Sequence, residues 1–201
     1  MNAVLSFLIS ALTFFATDKQ EAAPGLMEVR RREAYHQAGL IMANHLDKHG
    51  TECRTSTQGE NEGETWIYSR NRYTLAQATA FFHYYFGGSA AEKMTFGVYD
   101  VNASFDDWLK AGTIAHAIVC QYENNKEKVV ERIALTNTKF YPYNDNIKQR
   151  IKIKMEKAFK FVSNQFKKEE VKEAINQLAN ALLQKTELHC DEIKRLEIFS
   201  M

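Results

Sequence analysis

The chain is poor in the residues that break helices or staple a fold. It has two prolines in 201 residues, Pro24 and Pro142, and both fall in stretches that read as connections, so nothing interrupts the long periodic segments between them. Its three cysteines, Cys53, Cys120 and Cys190, are odd in number and far apart. That spacing fits neither a disulfide framework nor a C-x-x-C metal site, and it reads as reduced thiols in a cytosol-like compartment. Net charge is scarce too: 26 Lys and Arg against 25 Asp and Glu leave a formal +1. No overall field draws nucleic acid or an acidic substrate to the molecule. No ATPase motif is present: Gly87-Gly88 is followed by Ala90 and Ala91, not by the Lys-Ser/Thr of a phosphate-binding loop. The composition, 45% hydrophobic and 25% charged, is that of a globular chain able to bury one core.

Long uncharged runs are also missing, except at the start. MNAVLSFLISALTFFAT, residues 1–17, carries no charge. A cleaved signal is disfavoured, because the first residues lack Lys or Arg and Phe14 stands where a small residue should precede a cut after Ala16. The run lies near the lower end of the ~17 to 25 residues that span a bilayer. Asn2, Ser6, Ser10, Thr13 and Thr17 recur at helical spacing, which suits a helix packed on protein as well as one in lipid. The expected location is therefore cytoplasmic, or membrane-associated through residues 1–17 with a cytoplasmic domain. DKQEAAPG, residues 18–25, is a polar linker, and the domain proper, 26–201, begins beyond it.

Within that domain, apolar residues at helical intervals predict a helix over 27–49, with Gly50 placed to cap it. TSTQGENEGETWIYSR, inside residues 51–73, is turn-rich with a β-prone run from Thr65 to Tyr68, a loop or hairpin. A helix over 74–86 follows, where Gly87-Gly88 either ends the helix or lets another come close; 89–96 continues for a turn or two. Further helices are predicted over 107–122, with Asp106 or Asp107 as the acid of the first turn or the cap, and over 146–166, 168–184 and 191–196. Lys148, Arg150, Lys152, Lys154, Lys157 and Lys160 form a basic run, read as a solvated face over a buried stripe of Ile151, Met155, Phe159 and Val162. Nucleic acid or anionic lipid is the alternative for that face, and no nucleic acid is expected from the balanced charge. The fold class is mainly α: a helical bundle with at most a small β-hairpin or sheet.

REAYHQAGLIMANHL, residues 32–46, has the outline of an H-E-x-x-H helix, in which two histidines one turn apart hold zinc and the glutamate serves as base. Here the five positions are His36, Gln37, Ala38, Gly39 and Leu40. Together with three later segments, this helix resembles the peptidase domain of the FtsH family of AAA+ zinc proteases. AYHQAGL (34–40) is similar to the family's AYHEAGHAL, and FGGSAAEKMTFG (86–97) to LGGRAAEELVFG. NASFDDWLKAGTIAHAIVCQY (102–122) is similar to GAxxDLxxATxIAxxMVxxYG, with one extra residue before Asp107. ALLQKTELHCDEI (181–193) is similar to ALLEKETLxxxEI. The four matches keep their order and span about 27–196.

The resemblance implies an FtsH-like peptidase domain whose zinc would be held by two helix histidines and a later aspartate. Of these, His36 and Asp107 are kept, and Leu40 stands at the missing ligand position. Leucine has no lone pair, so two protein ligands remain where catalytic zinc normally has three. Gln37 stands at the position of the general base, and an amide cannot take a proton from an attacking water. His45 and His49 lie about 180° and 220° around the helix from His36; His83 or His116 could approach only through the fold. With no metal held, His36 becomes a buried imidazole hydrogen-bonded to Asp107 or to a backbone carbonyl. The expectation is a degenerate, inactive peptidase domain that binds a polypeptide or protein partner, with Thr65, Trp66, Ile67 and Tyr68 as the edge to which an extended segment adds. No cofactor is then needed. The alternative is an active zinc metalloendopeptidase with a replacement ligand. Either would draw its motor from a separate AAA+ ATPase, and no oligomeric state follows from the sequence.

Overall fold

A computed structural model describes residues 25–47, 53–56, 64–67, 73–123 and 144–196. Residues 1–24, with the uncharged segment and both sides of its linker up to Pro24, lie outside them, as do Tyr68, His49, Gly50 and Pro142. Among the described residues the chain is mainly helical. Helix α1 spans Leu26–Leu46, and from Ala34 to Ala43 every residue is buried. A helix buried on all sides lies inside a bundle rather than on its surface. The predicted extension to residue 49 is not made. Asp47 leaves the helical region (φ −94°, ψ 117°), and its carboxylate stands 3.6 Å from His83 Nδ1.

Strands β1 (Cys53–Ser56) and β2 (Glu64–Ile67) form an antiparallel hairpin, with Arg54 opposite Trp66 and Thr55 opposite Thr65. Helix α2, Leu75–Phe96, starts at a capping box in which Thr74 and Gln77 satisfy each other's backbone N–H. It does not stop at residue 86. It runs unbroken through Gly87-Gly88 and ends at Gly97, whose left-handed backbone (φ 81°) closes the last turn. Helix α3, Phe105–Ala117, continues as a π-helical turn over Ile118–Glu123. Its N-cap is Ser104, and Asp106 and Asp107 lie in its first turn, so Asp107 is not the cap.

Helix α4, Asp145–Gln165, is capped by Asn144 Oδ1, which accepts from Ile147 N at 3.0 Å. Its buried stripe is Ile147, Ile151, Met155, Ala158 and Val162; Phe159 is only partly buried. Helix α5, Glu169–Lys185, buries Val171, Ala174, Ile175, Leu178, Ala179 and Leu182, the spacing of one helix face. Strand β3, Glu187–Leu188, pairs antiparallel with β1, giving the order β2-β1-β3, and α6, Cys190–Arg195, follows. The small sheet thus joins the stretch between α1 and α2 to the one after α5, with β1 in its middle and β2 on an edge.

The core joins α1, α2, α3, α4 and α5, with Trp108, Phe86, Phe166, Ile175, Leu178 and Leu182 fully enclosed. Each such side chain contributes roughly 1.5–3 kcal/mol by leaving water. Among the described residues no helix is long and apolar enough to cross a membrane.

Candidate functional site

The site begins with a helix crossing. Helices α1 and α2 meet at Gly39 and Gly87, where a Cβ on Gly39 would collide with the Gly87 carbonyl and come within 2.6 Å of Ala91 Cβ. Such a contact is open only to glycine, because any larger residue separates the two backbones. One turn before Gly39, the close approach carries His36 across α2. Its imidazole lies flat against the backbone of Gly88, where a Cβ would strike the ring. One turn further along α2 stands Glu92, a carboxylate only 1% exposed.

Three elements converge on the His36 ring. Nδ1 lies 2.6 Å from Glu92 Oε1, and Nε2 lies 3.0 Å from Asp107 Oδ2. The second oxygen of Glu92 accepts from Asp100 N at 2.7 Å. Asp100 in turn accepts from the backbone N–H of Asn102 and Ala103, shaping the turn that leads into α3. Asp107 is held from its other side by its neighbour: Trp108 Nε1 donates to Ser89 Oγ at 2.8 Å, pinning the first turn of α3 to α2. Trp108 also packs among Phe86, Tyr99 and Phe159. Glu92 therefore orients both the imidazole and the loop that delivers Asp107.

Burial by itself would hold His36 below its usual value; the hydrogen bonds and charges of Asp107 and Glu92 overcome it, and the pKa is raised to about 10. At neutral pH the ring is an imidazolium, with Nδ1–H donating to Glu92 and Nε2–H to Asp107. Burial, reinforced by the charge of Asp107, pushes the Tyr85 hydroxyl up to about 12, so it stays protonated.

The same geometry tests the fit of a metal. Two ligand atoms about 2.0–2.1 Å from a tetrahedral zinc lie roughly 3.3 Å apart, so the 3.0 Å between His36 Nε2 and Asp107 Oδ2 suits a shared proton or a shared ion. The third donor decides. At i+4 from His36 stands Leu40, buried and without a lone pair, and Glu92 is engaged on the far nitrogen as the outer partner that orients a ligand histidine. Among the described residues no group of three His, Cys, Asp or Glu side chains is disposed to hold a metal ion. Of the three protein ligands a catalytic zinc takes, the described residues of this site offer His36 and Asp107. Gln37 is buried, and its amide donates to Glu33 Oε1 at 3.1 Å.

The structure thus brings together His36 and Asp107, with Leu40 and Gln37 on the same helix. The two candidate substitutes are engaged elsewhere: His83 faces Asp47, and His116 Nε2 lies 3.6 Å from Cys120 Sγ. His45 is exposed at the end of α1. Thr65, Trp66 and Ile67 lie on β2, which among the described residues pairs with β1 alone. Sequence reasoning missed Glu92. Its signal was a lone carboxylate after the small-residue run GGSAA, a stretch that has to be buried if another helix approaches it. No protein-family model matches the chain, and no curated protein does.

Proposed function

We propose that this chain is a degenerate FtsH-like peptidase domain that has lost hydrolysis and works by binding a polypeptide or a partner protein. The observation that carries the reading is the His36 site: an imidazole, its outer carboxylate and the later aspartate are assembled, while the positions for the second ligand and the base hold Leu40 and Gln37. Peptide hydrolysis at zinc needs an ion that lowers the pKa of its water and a base that takes the proton. Neither a third ligand nor that base is supplied.

Binding without cleavage is served by the hairpin. Strand β2 is an edge strand, and an extended segment can add to such an edge through main-chain hydrogen bonds. A separate AAA+ ATPase is the partner that the resemblance favours, since residues 1–201 contain no nucleotide-binding motif. The test is elemental analysis of the purified chain with a casein cleavage assay: substoichiometric zinc and no chelator-sensitive cleavage are expected. Stoichiometric zinc together with cleavage would establish the active metalloendopeptidase instead.

A further inference from the structure

A second feature lies away from the His36 site. Along α4, from Arg150 to Phe166 just beyond its end, the exposed Ile153 and Phe161 and the edge of the buried stripe at Ala158 and Val162 line two adjoining open cavities, of about 500 Å³ and about 370 Å³. Their other walls come from α1, α2 and the π-helical turn. His83 and Phe161 belong to both cavities and stack on each other, ring centroids 4.6 Å apart. The two cavities are thus one groove, about 24 Å long at 1.5 Å per residue.

Its floor is apolar and unusually open to water. Ile153 is 39% exposed, Leu46 40% and Phe161 48%, and these are three of the six large hydrophobic side chains exposed among the described residues. Concentrating such residues in one concavity marks a contact surface, whereas scattered ones carry no such meaning. The charge is uneven along it. At one end Arg150, Lys154 and Lys157 face a single carboxylate, Glu123, which is shared by Arg150 (2.9 Å) and Lys154 (2.7 Å). Among the described residues no carboxylate pairs with the exposed Lys157. At the other end stand Asp47 and Gln165.

We propose that this groove docks an amphipathic helix of a partner polypeptide, its apolar stripe on Phe161, Ile153 and Leu46 and its carboxylates over Lys157. The length of the groove matches a helix of about 16 residues rather than a compact small molecule. The basic end selects acidic residues there through charge complementarity. This surface is independent of the β2 edge and of the reading of the His36 site.

The test is fluorescence anisotropy on the full chain. The probes are two labelled synthetic peptides of about 18 residues, long enough to span the groove as a helix. Both carry leucines at i, i+3, i+7 and i+11; one ends in three glutamates, the other in three lysines. The glutamate peptide is expected to bind at least about tenfold more tightly, with the preference shrinking as salt rises. Phe161→Asp should weaken it by about tenfold or more, because the anchor's apolar contact is lost. Lys157→Glu, at an exposed position that leaves the fold intact, should remove the charge preference while keeping the leucine contribution. Equal binding of both peptides, failure of the full chain to bind either, or indifference to Phe161→Asp would overturn the proposal. Self-association abolished by Phe161→Asp without peptide binding would also overturn it, making the groove a contact between copies.

Discussion

At the scale of single residues, His36, Glu92 and Asp107 behave as one unit, and removing any member strands the charge of another. Replacing Glu92 with Leu leaves the buried imidazolium half paired and frees Asp100 N, so a loss of about 3–5 kcal/mol is expected in urea unfolding. Glu92→Gln, which keeps the shape and one hydrogen bond, should cost less. The cluster also fixes a pH dependence. Between the unfolded value near 6.5 and the folded value of about 10, the folded chain binds one more proton at His36 than the unfolded chain does. Its stabilisation is therefore complete below about 6.5 and disappears as pH rises through about 10. Urea midpoints measured from pH 7 to 10 should fall in the wild type, and the fall should be shallower in His36→Gln. Much of this site could be anticipated: His36 stood out through the outline of an H-E-x-x-H helix, and Asp107 through the resemblance that put it at a ligand position. Glu92 did not, because a lone glutamate in a helix reads as a solvated residue until a neighbouring helix is placed over it.

At the scale of elements, the crossing of α1 and α2 positions the site, and glycine permits it. Gly39→Val would push the Gly87 carbonyl and Ala91 away, with an expected cost of about 1–3 kcal/mol or more. The ring of His36 would be drawn off Glu92 as well, visible as a lowered imidazole pKa in an NMR titration. The helices themselves were readable from the 3.6-residue period of their apolar positions, and α4 and α5 begin and end within a residue of expectation. Of the two readings open for Gly87-Gly88, an end to the helix or a close approach by another, the structure makes the second. Local propensity treats a glycine pair as a stop, but here the energy of packing two backbones together outweighs roughly 1 kcal/mol per glycine of lost helix preference. The end of α1 was misplaced for a similar reason: Asp47 turns out of the helix beside His83, a residue thirty-six positions away that no local pattern foresees.

At the scale of the whole molecule, the described helices share one hydrophobic core, and a fold held by that core is expected to stand without a metal. Melting of the wild-type chain should be unmoved, within about 1 °C, by a chelator or by added zinc. The double substitution Leu40→His with Gln37→Glu restores the third ligand and the base beside His36 and Asp107. Zinc at a hundredfold excess over its dissociation constant should stabilise that variant by about 2.7 kcal/mol, or roughly 5–10 °C for a chain of this size. An unchanged metal content in a folded double variant would count against the geometry assigned to the site. The double role of the Glu92 carboxylate has one more consequence. An exchange at 40 leaves nothing ionised behind, and one at 37 touches only the half-buried Glu33, so each can drift alone. An exchange at 36, 92 or 107 maroons a charge in the interior, so those three can only depart in concert. A saturation library scored for folded protein should show that inequality: neutral residues of similar size accepted at the buried positions 37 and 40, near-invariance at the other three.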